Sequence, residues 1–188
     1  MTEDDWSSEL LLLQDRGVRL APGLTADEVR RAEKVHRFRF PPDLRSLLLR
    51  ALPLGPGFPD WRTPGSSRLA DQLTWPFEGI AFDIENNNFW WQPWGHRPAA
   101  LSDAIAVAKA AVESAPRLIP IYTHRYLPAD PESAGNPVFS VHQTDIIYYG
   151  VDLRRYLACE FGGIDDADAV RVEPRRIRFW TDLVEGNE

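Results

Sequence analysis

Cysteine and lysine are nearly missing from this chain of 188 residues, which has Cys159 alone of the first and only Lys34 and Lys109 of the second. A single cysteine closes no internal disulfide, and it falls on a stretch with helical spacing, where a small core residue is the expected role. No run of about 18 apolar residues occurs, so no membrane span is expected. The start, MTEDDWSSELLLLQ, is acidic where a secretory signal is basic, which leads to the expectation of a cytoplasmic protein. Also absent are the phosphate-cradling G-x-x-x-x-G-K, the G-x-S-x-G elbow and the H-E-x-x-H zinc helix. The sequence therefore gives no positive sign of an enzyme, a cofactor or a metal.

Charge narrows the partners. At a net charge of -7 the chain is poorly suited to nucleic acid, whose binding depends on basic residues displacing counterions from phosphates. A protein partner with a basic surface is expected instead, while the oligomeric state stays open. With 44% hydrophobic residues, one well-buried core fits this length, so a single domain over 1–188 is expected.

Apolar spacing and turn signals then give an element order. Trp6, Leu10 and Leu13 share one helical face, with Gly17 as its stop. Thr25 and Glu28 have capping-box spacing and start a second helix, with Val29, Ala32 and His36 facing inward and Glu28, Arg31 and Lys34 solvated. Phe40-Pro41-Pro42-Asp43 breaks the chain and starts a third helix that buries Leu44, Leu47, Leu48 and Ala51. Residues 52–67 are rich in proline and glycine and read as a surface loop. A short helix over 67–73 and a strand over 79–84 follow. Leu101, Ile105, Ala108 and Val112 line a helix that ends near Pro116.

Residues 118–122, 137–141 and 146–149 read as strands, with His142 to Asp145 closing a hairpin between the last two. Leu153, Tyr156, Leu157 and Phe161 form one more helix face, with Gly162-Gly163 as its stop. An acidic loop, IDDADA, and a final apolar segment with Ile177, Phe179 and Trp180 complete the chain. The fold class is α+β: a mainly antiparallel sheet flanked by helices, with a helical N-terminal segment.

Two constellations bear on function. His124, His142 and Asp145 have no metal-ligand spacing and read as histidines at strand ends, and the IDDADA loop lacks the Gly and terminal Glu of a calcium hand. The segment FWWQPWGHRP places Trp90, Trp91 and Trp94 close together. Burial is expected for most of these rings, but an exposed one near Arg97 or Arg125 is the expected anchor of a protein interface. Trp91 and Trp94, together with Tyr126, are also candidates for an aromatic cleft that stacks on a glycan or other small ligand.

GLTADEVRRAEKVHRFRFPPDLRSLLL, from Gly23 to Leu49, resembles the opening of the SUKH superfamily, domains related to a fungal cell-wall-assembly regulator. Glu33, Pro41 and Leu44 to Leu48 are the matching positions. GNPVFSVHQTDIIYYGVDLRRYLACEF, from Gly135 to Phe161, resembles that family's closing turn, strand hairpin and helix. With FEGIAFDIENNNFWWQPWGHRP between them, the likeness runs from about Leu20 to Phe161, leaving an N-terminal helix and a C-terminal extension outside it. One departure is Ala51-Leu52-Pro53-Leu54-Gly55, where the family often has Asn-Gly-Gly. The resemblance implies an α+β fold and a non-enzymatic binding role, in bacterial members typically that of an immunity protein that occludes a cognate toxin. A regulatory scaffold is a further possibility within the same class.

Overall fold

The computed structural model of the chain describes residues 5–186. The helices are α1 Ser7–Asp15, α2 Ala26–His36, α3 Pro42–Arg50, α4 Ser67–Asn86, α5 Leu101–Ser114, α6 Leu153–Glu160, α7 Asp166–Ala169 and α8 Trp180–Gly186. The strands β1 Arg19–Pro22 and β2 Ala51–Leu54 form one antiparallel pair. A second sheet runs in the order β3-β4-β5-β6, from Leu118–Tyr122, Arg125–Pro128, Val138–His142 and Asp145–Gly150, with every neighbour antiparallel. The fold is α+β with an N-terminal helix, as its sequence pattern implies.

Alternation along these four strands sends side chains into two cores. Ile119, Leu127 and Val138 join Trp6, Leu13, Val29, Leu44, Leu153 and Leu157 on the side of α1, α2, α3 and α6. Tyr126, Phe139, Val141 and Ile146 join Ile80, Ile84, Ala104, Ala108, Trp180 and Leu183 on the side of α4, α5 and α8. The larger sheet is thus a middle layer between two groups of helices.

Several local expectations hold in detail. Thr25 Oγ1 accepts from the Glu28 amide at 3.2 Å while the Glu28 carboxylate accepts from the Thr25 amide at 2.7 Å, which completes the capping box. Glu28 is nonetheless half-buried and paired with Arg62 at 3.2 Å, so it is less solvated than its position implied. Glu33, 4% exposed, turns inward and accepts from the Phe40 amide at 3.1 Å and from Arg39 at 3.0 Å, tying the end of α2 to the start of α3. The hairpin from His142 to Asp145 forms, and Gln143 takes the left-handed backbone its tight turn needs.

Elsewhere the structure departs from the sequence reading. Residues 79–84 are not a strand; they lie inside α4, a helix of 20 residues that begins at the Ser66 cap and continues through Pro76. The alternation of Ile80, Phe82 and Ile84 imitates a strand, but Ile80 and Ile84 are both fully buried, as helical i, i+4 neighbours are, while Phe82 points out. Residues 52–54 belong to β2 and not to a loop, and Ala51 starts that strand, although it is buried as expected. Strand β4 went unread because Arg125 and Pro128 weaken its β signal. Leu101, placed on the inner face of α5, is 40% exposed. The IDDADA stretch also contains the short α7.

Proline inside a helix removes an amide and leaves the carbonyl four residues earlier without its donor. Here that carbonyl belongs to Gln72, and the buried Tyr126 hydroxyl donates to it at 2.8 Å. A tertiary contact from β4 therefore supplies what the helix lacks. Tyr126→Phe deletes that donor and is expected to cost about 1 to 3 kcal/mol. Urea denaturation checks this, and an unchanged midpoint would show that the hydroxyl carries no such role.

Candidate functional site

The six residues singled out from the sequence do not converge. Trp90, Trp91 and Trp94 lie in the link between α4 and α5, all partly buried against the α4 side of the sheet. Trp90 donates its indole N–H to the Gly95 carbonyl at 2.7 Å and meets Trp94 edge-to-face at 5.2 Å, and the Trp91 ring is so close to Gly186 that a Cβ there would approach it to 2.3 Å. Arg97 closes the end of α4 by donating to the Ile84 carbonyl at 2.7 Å and to Asn88 at 2.6 Å. These four residues order a connection.

Arg125 and Tyr126, adjacent on β4, point to opposite sides of the sheet. Arg125 is 9% exposed, pairs with Glu160 of α6 at 3.1 Å and donates to Ser140 at 2.8 Å, with its guanidinium 3.7 Å above the Tyr149 ring centroid. It fastens α6 to the sheet. Tyr126 is 1% exposed, and burial pushes its phenol well above the ordinary range, so it is an interior donor with no open face for a ligand.

His124 sits beside Arg125 at the strand end, and His142 faces Asp145 across the hairpin. Burial first, then the charge of Arg125 and of His142, lowers the pKa of His124 below its usual 6.5. Burial does the same to His36, opposed by the hydrogen bond that the imidazole donates to the Pro64 carbonyl and reinforced by the charge of Arg117. A folded pKa below the unfolded one means that stability is complete above pH 6.5 and is lost as pH falls through the folded values. The unfolding midpoint is therefore expected to fall on going from pH 7.5 to pH 5.5, and less so in a His124→Gln protein. An equal drop in both proteins would remove His124 from this account. Among the described residues, no three His, Cys, Asp or Glu side chains are grouped so as to hold a metal ion.

The exposed feature is on α4. Trp75 and Phe82 are 47% and 48% exposed, large for aromatic rings on a helix whose other side is core. Asp71, Glu78 and Glu85 are exposed on the same helix. At 100° per residue, positions 71, 75, 78, 82 and 85 fall within an arc of about 80°. They make one stripe in which carboxylates and aromatic rings alternate. Among the described residues, none of these three carboxylates is in an ion pair, and Glu78 accepts only from the Thr74 hydroxyl, at 2.8 Å. Arg68, the one cation of α4, reaches aside to the Gly55 carbonyl at 3.4 Å.

One flank of the helix, next to the stripe, is fixed. Gly79 lets the β5–β6 turn come so near that a Cβ would lie 2.7 Å from Gln143 Cα, and four residues on, Asp83 accepts from the Thr144 amide at 2.8 Å and hydroxyl at 2.6 Å. The stripe therefore stands on a rigid support. Neither Trp75 nor Phe82 stood out in the sequence, because a strand over 79–84 separates them; the seven-residue interval between the two rings was the available signal.

A cavity of about 590 Å³ lies between the end of α2 and the segment after β4, with Arg30, Lys34, Arg37, Arg39 and Arg117 around it. Four of these five cations have other duties: Arg30 pairs with Asp27, Arg39 with Glu33, Arg117 donates to the His36 carbonyl, and Lys34 complements the negative end of α2. Compared with protein-family models, curated proteins and solved structures, the chain has no match.

Proposed function

We propose that this chain is a non-enzymatic protein-binding module of the immunity type, which neutralises a toxin with a basic docking surface by binding and occluding it. The observation that carries the reading is the α4 stripe, where two half-exposed aromatic rings stand between three unpaired carboxylates. Exposed aromatics on a rigid support are typical interface anchors, and the carboxylates favour a cationic partner. The SUKH resemblance between Leu20 and Phe161 supports the same class by analogy. A glycan cleft at Trp91, Trp94 and Tyr126 is less favoured, since Tyr126 is interior. No described helix is long and apolar enough to cross a membrane.

The test is functional protection. Where a neighbouring gene encodes a protein with a toxin domain, co-expression of this chain should restore growth to cells producing that domain, and a Trp75→Ala, Phe82→Ala double variant should fail to do so while remaining folded. Growth restored equally by the double variant would contradict the assigned surface, and absence of protection by the wild-type chain would contradict the immunity reading.

A further inference from the structure

Resting on the protein-binding reading above, we infer that the α4 stripe receives a cationic amphipathic helix of the partner, packed along α4 in seven-residue steps. Both components of the stripe repeat at that interval: the rings at Trp75 and Phe82, the carboxylates at Asp71, Glu78 and Glu85. Seven helical residues advance about 10.5 Å, so the two rows run almost parallel to the helix axis and are not wound around it. A second helix repeats its own face at the same interval and stays in step over the full stripe, crossing at about 20° as in coiled coils. An extended strand repeats a face about every 6.6 to 6.8 Å and loses register within one step.

Charge selects among helices. A second copy of this chain would bring two rows of carboxylates together, which repel, whereas a helix with Lys or Arg beside its apolar seam meets them as opposite charges. The seam would seat its Leu or Ile side chains against Trp75 and Phe82. Because Gly79 and Asp83 fix the flank of α4 to the β5–β6 turn and Ile80 and Ile84 hold its back in the core, the face offered to that helix needs no rearrangement.

The probe is a labelled synthetic 21-residue peptide with a leucine seam in heptad spacing and lysines flanking it, compared with a scrambled peptide of identical composition. Fluorescence anisotropy with the full chain should show the heptad peptide binding at least tenfold more tightly than the scrambled one. Trp75→Ala and Phe82→Ala should each weaken binding of the heptad peptide at least tenfold, Glu78→Lys should weaken it and flatten its salt dependence, and Leu11→Ala, an exposed apolar change on α1, should leave it unaltered. All these sites are exposed, and circular dichroism confirms that each variant is folded. Equal binding of the two peptides, or indifference to Trp75→Ala and Phe82→Ala, overturns the helix inference. If a toxin partner loses affinity on Trp75→Ala while no peptide binds, the helix inference alone falls; if the toxin partner is also indifferent, the protein-binding reading falls with it.

Discussion

A Leu157→Asp protein is expected to be severely destabilised, with its denaturation midpoint strongly lowered. Leu157 is 1% exposed on α6 and joins Leu153, Tyr156 and Phe161 in the core beneath the sheet. An ionised carboxylate at that position displaces apolar contacts and finds no partner built for it, at a cost of about 3 to 5 kcal/mol. That is a large share of the roughly 5 to 15 kcal/mol by which domains are stable. Leu157→Met keeps the volume and is expected to cost less than about 1.5 kcal/mol. Chemical denaturation of the two variants separates burial from shape, and a curve unchanged by Leu157→Asp would show that this face of α6 is not core.

Asp83→Ala is expected to loosen α4 from the sheet it covers. The Asp83 carboxylate is 4% exposed and accepts from the Thr144 amide, the Thr144 hydroxyl and, at 2.5 Å, the Asn87 side chain. Alanine leaves the turn amide without its acceptor and removes charge-assisted bonds, at a cost of about 3 kcal/mol. Asparagine retains one acceptor oxygen and should cost about half as much by the same reasoning. Denaturation midpoints rank the three proteins, and hydrogen exchange at the Thr144 amide should accelerate in the order Asp, Asn, Ala. Unaltered exchange at Thr144 would show that the α4 contact does not protect the turn.

The same helix explains what the sequence conceals. Local signals sufficed wherever the pattern itself is local: the Thr25 and Glu28 cap, the 142–145 hairpin and the helical spacing of apolar residues on α6 all read correctly. Helix α4 needed a partner from afar. Pro76 is a helix breaker until Tyr126, fifty-four positions beyond Gln72, donates to the Gln72 carbonyl that Pro76 leaves free. Once the helix is cut at Pro76, the six residues from Gly79 satisfy a strand pattern, and the common face of Trp75 and Phe82 disappears from view.

The six residues picked out from the sequence do not form one exposed surface, for a related reason. Trp90, Trp91 and Trp94 stand out by density, but density measures available apolar area and not its exposure, and these rings spend theirs on α8 and on one another. Arg125 looks like an accessible cation until Glu160 and Ser140 enclose it, which depends on how α6 and β5 lie over β4. The fold class and the order of most elements were legible, as was the acidity that points to a basic partner. The surface proposed to meet such a partner depends on tertiary packing.

The most direct measurement is surface-binding kinetics with a purified toxin partner, comparing the wild-type chain with Trp75→Ala and Phe82→Ala over a range of salt. Association should slow as salt screens the Asp71, Glu78 and Glu85 row, and each alanine variant should dissociate at least tenfold faster, the loss of an anchor worth about 1.4 kcal/mol or more. Association indifferent to salt, together with wild-type dissociation rates in both variants, would contradict the assignment of the α4 stripe as the binding surface.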